Sequence, residues 1–283
     1  MADPRVVVVT DSAGSLPPDM ERKLGIVTIP VHVQVDEDSR LEGAEITGGE
    51  VVAALHDGAE VSTVAPSSDE IAKVYRSVAR DGASAIVSVH VSSAFSDTLV
   101  HATEAADRSK IPVTLVDSGT IAMGQSLVAM GSAAVAAAGR SAEEVAGSAL
   151  AVARSCQFLF TVETLEYLRR GGRISATLAA VGALLGIRPV MSIQNGETTV
   201  VERARSLDGA RSVIGSSMEL YASTLARPAA CVGHSPGEDP DVAINIKGAV
   251  VETLVGASLA AHTGPGTCGI AVADMPPEFA GIA

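Results

Sequence analysis

Apolar and polar positions along this chain switch repeatedly between two periods, and the switching predicts its elements. Arg5–Thr10 holds four consecutive valines and ends in Asp-Ser-Ala-Gly-Ser. An unbroken apolar run of that length suits a strand buried on both faces that feeds a loop. Ile26–Val35 reads as a second strand region. Ser67 and Glu70 then have capping-box spacing, and Ile71, Val74, Tyr75 and Val78 behind them form one helical face. Ala85–Val91 predicts a strand, Phe95–Ser109 a helix, Val113–Val116 a strand and Ile121–Ala138 an alanine-rich helix. Ser141 and Glu144 repeat the capping box before a further helix. Alternation of this kind argues for a mostly parallel sheet with helices on both faces.

The pattern changes in the second half. Phe158–Thr161 predicts a strand, and Val190–Ile193 and Thr198–Val201 flank Asn195-Gly196, the signature of a hairpin with a type I′ turn. A long helix over about Asp208–Leu225, a strand at Ala229–Val232 and a helix reaching about Leu254 follow. The expected fold is α/β with two tightly packed domains. Residues 1–155 form an N-terminal, mostly parallel sheet flanked by helices. Residues 156–283 form a C-terminal mixed α/β domain with an antiparallel hairpin. No internal repeat and no low-complexity tail interrupts the pattern.

One segment stands apart. Thr164–Ile174 reads Thr-Leu-Glu-Tyr-Leu-Arg-Arg-Gly-Gly-Arg-Ile. Leu165 and Leu168 share a face, Arg169 and Arg170 sit in the last turn where positive charge suits the helix dipole, and Gly171 and Gly172 stop the helix. Arg173 follows the turn.

Composition narrows the possibilities. Aromatics are 2% of the chain and Trp is absent, so the core must be built from Ala, Val, Leu, Ile and Met. Such an interior also suits a tunnel for an alkyl chain. The balance of 20 basic against 33 acidic residues gives a net charge of −13. No basic footprint for a nucleic acid is visible. Anionic membranes repel such a chain, so membrane contact is expected to be transient at most. Cys156, Cys231 and Cys268 form no CxxC pair and read as buried thiols in a reducing compartment. The apolar runs Leu127–Ala138 and Ala176–Ile187 are too short to cross a bilayer, and no signal peptide is apparent. The expected location is the cytoplasm.

The candidate chemistry is sparse. Thr63 and Ser93 fall where a strand or loop meets a helix, and a hydroxyl there can cap the helix or bind an anion. Ligands of parallel sheets gather at the C-terminal ends of strands, which adds Ser12 and Asp117-Ser118. His262 precedes Thr-Gly-Pro-Gly, and a histidine near pH 7 can donate to a carboxylate. The stretch Gly233-His234-Ser235-Pro236-Gly237 matches the spacing of a serine esterase with Ser235 as nucleophile. The next residue, Pro236, has no N–H to lend an oxyanion hole. Asp11–Ser15 and Gly264-Pro265-Gly266 suggest a phosphate- or nucleotide-binding enzyme, but neither matches a P-loop. The six histidines show no metal-ligand spacing, so neither a metal nor a cofactor is expected.

Taken together, the motifs resemble those of the DegV family, the FakB-type fatty-acid-binding proteins. Val9-Thr10-Asp11-Ser12, Thr63-Val64-Ala65-Pro66-Ser67 and Ser92–Thr98 are similar to three of its elements. Val116-Asp117-Ser118, Thr164–Ile174 and His262-Thr263-Gly264-Pro265-Gly266 are similar to three more, in order. Val64 stands where the family usually has Ser, and Asp97 where it usually has Gly. The resemblance implies a DegV-like fold and a carrier rather than a catalyst. Such a carrier holds one long-chain fatty acid and presents its carboxylate to a separate fatty-acid kinase for acyl-phosphate formation. It further implies that Thr63, Ser93 and His262 hold the carboxylate. Arg170, Arg173 and Ser12 support the site or dock the partner.

Overall fold

Seven short strands in the first part of the chain divide between two sheets, and the division begins at a proline. The computed structural model describes residues 5–174, 187–194, 196–237 and 244–282. Strand β1 (Val6–Asp11) is buried at every position and pairs in parallel with β2 (Val27–Ile29). Pro30 has no N–H to continue a ladder. The chain therefore leaves that sheet and starts β3 (His32–Val35), which pairs antiparallel with β4 (Asp38–Leu41). The expected single strand region Ile26–Val35 is thus two strands in two sheets. Helix α1 (Pro18–Leu24) precedes them, and α2 (Gly48–His56) leads to β5 (Val61–Val64), the third member of the small sheet β4-β3-β5.

Parallel winding then resumes. Helix α3 (Ser68–Arg80) starts on the expected Ser67–Glu70 capping box and buries Ile71, Tyr75 and Val78. Strand β6 (Ala85–His90), helix α4 (Thr98–Ala106) and strand β7 (Val113–Asp117) complete the all-parallel sheet β2-β1-β6-β7. Helix α4 is shorter than the expected Phe95–Ser109. Residues 92–95 form a turn, closed by Phe95 N donating to Ser92 O at 2.9 Å, and Ser96 Oγ and Thr98 Oγ1 then hydrogen-bond at 2.8 Å before the helix starts.

Helix α5 (Ala122–Ala137) explains how the two halves join. Fourteen of its sixteen residues are buried, so it has no polar face. A helix apolar all round belongs inside a core rather than on a surface. It packs β1 on one side and the large sheet on the other. Helix α6 (Ala142–Ser155), started by the expected Ser141–Glu144 box, leads across Cys156 into β8 (Gln157–Thr161) of that second sheet.

The second sheet has the order β10-β9-β8-β13-β11-β12 and is mixed. After α7 (Glu166–Arg170) come β9 (Arg188–Gln194) and β10 (Glu197–Ala204), the expected antiparallel hairpin. Gly196 has φ +78, as an I′ turn requires, while Asn195 lies outside the described residues. All of the apolar run Ala176–Ile187 except Ile187 also lies outside them. Helix α8 (Leu207–Ala222) covers the sheet, and β11 (Pro228–His234) enters its interior. The expected helix reaching Leu254 is a strand instead. Strand β12 (Ala249–Leu254) pairs in parallel with β11. Its β-branched residues Val250, Val251 and Thr253 favour a pleat, and its burial alternates with period two. Helix α9 (Ala257–Thr263) then crosses to α2 and β5, and β13 (Cys268–Asp274) closes the sheet.

Candidate functional site

A cavity of about 760 Å³ opens where β5, the loop after β6, α7 and α9 meet. Its apolar wall comes from both halves of the chain. Phe158 and Phe160 are two apart on β8, so they share a face, and their rings stack at 5.2 Å. Gly269 on the neighbouring strand makes room, since a Cβ there would lie 2.8 Å from the Phe158 ring and 2.9 Å from Phe160. Met123 on α5 fills the space over Gly233, where a Cβ would come within 1.4 Å of the Met123 methyl. Of the four phenylalanines in the chain, three (Phe95, Phe158 and Phe160) line this cavity. The two-residue spacing on β8 was the legible signal for the last two.

The polar side of the cavity is assembled from residues far apart in the chain. Thr63 Oγ1 on β5 and His262 Nε2 on α9 share a hydrogen bond of 2.8 Å. Gly171 lies against the other face of that contact. Its φ is −73°, so it is not the left-handed residue the helix end was expected to need. A Cβ there would sit 2.2 Å from His262 Nδ1, so the residue is glycine for room. Gly172, with φ +69, makes the left-handed turn. Arg173 then enters the cavity wall, where its guanidinium donates to Gly171 O and, at 3.0 Å, to Phe95 O. Burial pushes the Arg173 pKa down, and the Asp97 carboxylate at the cavity rim acts against that shift. Asp97 therefore faces a positive charge within the site rather than standing alone.

Ser93 also lines the cavity, but its hydroxyl donates to Asp117 Oδ2 at 2.6 Å and caps no helix. Gly119 N holds the other Asp117 oxygen at 2.8 Å. Donation from Ser93 to a ligand requires its hydroxyl to turn away from Asp117. Arg170 lies outside the cavity. With Arg169 it binds Glu166 on the exposed outer face of α7, and these bonds hold the Glu166 carboxyl at about 2. Ser12 is elsewhere too. It accepts from Val31 N at 2.9 Å, donates to Glu42, and lines a second cleft of about 1050 Å³. The structure thus brings Thr63, Ser93, His262 and Arg173 to one cavity and leaves Arg170 and Ser12 outside it.

The other two chemistries find no support in their geometry. Ser235 is 1% exposed, and its Oγ accepts from Thr267 N at 3.0 Å, a contact that ties the end of β11 to the start of β13. The glycines of Gly264-Pro265-Gly266 serve packing, because Cβ atoms there would meet the Tyr167 ring at 2.2 Å and Glu163 at 2.8 Å. Asp11 is fully buried among hydrogen-bond donors. No group of three or more potential metal ligands occurs among the described residues. None of their helices is long and apolar enough to cross a membrane.

Electrostatics set the state of His262. Burial pushes its pKa down to about 4, and the Arg173 charge acts in the same direction. The ring is neutral at pH 7 and has a single N–H to donate. Because the unfolded chain binds this proton more tightly, the stability tied to the neutral ring is complete above about pH 6.5 and is lost as pH falls toward 4. A bound carboxylate favours the imidazolium and reverses the shift. Binding of an anionic amphiphile is therefore expected to take up protons between those two values, most strongly at about pH 5.2. Calorimetry in buffers of different ionisation heat measures this uptake. Identical heats in all buffers would place the anion away from His262.

The fold and the sequence are similar to those of known proteins. The model of the family described as "Uncharacterised protein, DegV family" matches residues 5–274. The DegV domain-containing protein SCO2569 of Streptomyces coelicolor is 32% identical over 282 residues, covering 95% of this chain and 98% of its own. A solved DegV family protein from Thermus thermophilus, described by its fatty-acid binding, is 30% identical. It superposes with a TM-score of 0.87 over 96% of this chain and 100% of its own. DegV of Bacillus subtilis, described as a fatty-acid-binding protein, has the same fold at 24% identity. Its TM-score is 0.84, over 96% of this chain and 99% of its own. With the family's pattern running through nearly its whole length, the chain belongs to the DegV family.

Proposed function

We propose that the protein is a carrier that holds one long-chain fatty acid, tail in the cavity and carboxylate at Thr63, Ser93 and His262. The observation that carries this reading is the joining of an aliphatic and aromatic cavity of about 760 Å³ to the Thr63–His262 pair beside Arg173. The volume suits a single small ligand. The likeness to the fatty-acid-binding protein of Thermus thermophilus supports the ligand class. Burial of an alkyl tail yields about 0.8 kcal/mol per CH₂. Ten methylenes then correspond to roughly micromolar affinity before entropy costs. The tail supplies affinity, and the polar groups orient the head.

In this reading a separate fatty-acid kinase phosphorylates the presented carboxylate. Phosphoryl transfer needs a nucleotide and metal to spread charge. The chain carries no P-loop. The exposed Arg169–Arg170 end of α7 suits an acidic partner face. Reducing conditions, hence the cytoplasm, fit the thiols of Cys231, which is buried, and Cys156, which is half-buried rather than buried as expected; both are pushed up to about 12 by desolvation.

Native mass spectrometry and hydroxylamine trapping test the proposal. The protein is expected to retain one acyl chain, and to yield acyl-phosphate with Mg-ATP only when the kinase is added. Thr63→Val, Ser93→Ala and His262→Ala are each expected to weaken fatty-acid binding about tenfold or more, the cost of a lost bond to a charged group. A protein that binds no fatty acid of any length would falsify the carrier reading. Acyl-phosphate made without the kinase would replace it with an enzyme.

A further inference from the structure

Glu42 is a buried carboxylate that the head-group chemistry does not use. It follows β4, is 8% exposed, and has no cation paired with it among the described residues. Burial pushes its carboxyl pKa up, so its charge is held at a cost. What it binds is informative. One oxygen, Oε2, accepts from Ser12 Oγ, which is itself fixed by Val31 N at 2.9 Å. The other, Oε1, accepts from Ser258 N at 2.9 Å in the first turn of α9.

Helix α9 has seven residues, too few to be stable alone. It has no side-chain cap of its own, because its N-cap is Gly256. A Cβ at Gly256 would lie 2.4 Å from Glu42 Oε1, so glycine there admits the carboxylate. The Gly256 N–H donates to Ser15 Oγ at 3.0 Å. Negative charge at the first turn also suits the helix dipole. Ser258 and His262 are four residues apart, hence one turn apart on the same face, and both line the cavity.

The geometry points to Glu42 as the positioning residue of the head-group site: its carboxylate seats α9 and so places the His262 ring against Thr63. This rests on the carrier reading for its ligand but not for its geometry. The Ser12 and Ser15 of the first loop thereby acquire a role, as the far side of the same clamp.

The test pairs two ligands and one spectroscopic signal. For Glu42→Ala, affinity for a fatty acid is expected to fall about tenfold or more, while affinity for the fatty alcohol of equal length stays within about twofold. Glu42→Gln, which keeps a neutral acceptor for Ser258 N, is expected to restore acid binding to within about threefold. In the ligand-free protein, the His262 ring followed by NMR is expected to titrate near 4 in the wild type. In Glu42→Ala the midpoint moves up toward the ordinary value of about 6.5 as the ring gains solvent. If Glu42→Ala does not fold, Glu42→Asp, which keeps the charge but draws it back by one methylene, supplies the same comparison. Equal losses for acid and alcohol, or an unmoved His262 titration, overturn the inference. A wild type that takes up neither ligand defeats the carrier reading instead, and the titration still decides the role of Glu42.

Discussion

Asp11→Ala is expected to cost about 3–5 kcal/mol of folding stability, the usual cost of removing one partner from a fully buried charge cluster. Asp11 and His90 are both 0% exposed. Asp11 Oδ2 takes His90 Nδ1 at 2.9 Å and Val91 N at 3.0 Å. Its Oδ1 takes Gln125 Nε2 at 3.0 Å and Ala13 N at 3.2 Å. The chain of bonds continues from His90 to Ser88 and Tyr75, so the loss of one carboxylate strands donors in the loop after β1, at the end of β6 and on α5 together. Asp11→Asn keeps the shape but turns an amide N–H toward donors, and is expected to cost a smaller 1–3 kcal/mol or so. Urea unfolding measures both. A loss below about 1 kcal/mol for the alanine variant would mean that water can replace the carboxylate in this site.

Gly171→Ala is expected to separate binding from stability. Alanine is allowed at φ −73°, so the backbone is expected to hold and the effect to fall on the His262 ring. The new methyl would lie 2.2 Å from His262 Nδ1 and 3.0 Å from Cε1, which forces the ring off Thr63. Fatty-acid affinity is expected to fall about ten- to a hundredfold, the range for lost hydrogen bonds to a charged group. Gly172→Ala is the opposite case. Its φ is +69, and a Cβ there has nothing within 4 Å. It is expected to cost about 1 kcal/mol of stability and to leave binding unchanged. Matched calorimetry and thermal melts of the two variants check the pair. Equal behaviour would show that the glycines serve only as a helix stop.

From local pattern alone the candidate site is legible as separate residues, and only the family resemblance groups Thr63, Ser93 and His262 into one site. Thr63, Ser93, His262 and Arg173 each stood out by motif, yet nothing local says that Thr63 and His262 touch across 199 residues. Arg170 was legible as a cation and Ser12 as a hydroxyl at a strand end. Their distance from the cavity follows from which face of α7 points outward and from the Glu42 contact. Glu42 itself gave no signal, since a lone glutamate after a charged strand reads as surface. Of the small sheet only β3 falls inside an expected strand region, for a related reason. Strand β4 is Asp-Ser-Arg-Leu and has no apolar alternation to detect.

The sequence by itself determined what acts within a few residues. Capping boxes at Ser67 and Ser141 start their helices, Pro30 breaks a ladder, Gly196 turns a hairpin, and unbroken valines make β1 a buried strand. These are choices of backbone conformation and local hydrogen bonding, decided by the residues concerned. Tertiary structure decided what depends on partners. It placed α5 inside a core shared by both sheets and made Ala249–Leu254 a strand beside β11. It also carried α9 across to the small sheet, where Glu42 and Ser15 hold its first turn and Thr63 meets its last. A short helix, an edge strand and a buried carboxylate have no stable arrangement of their own. Their free energy comes from burial and hydrogen bonds to distant segments, and only the folded chain brings those segments together.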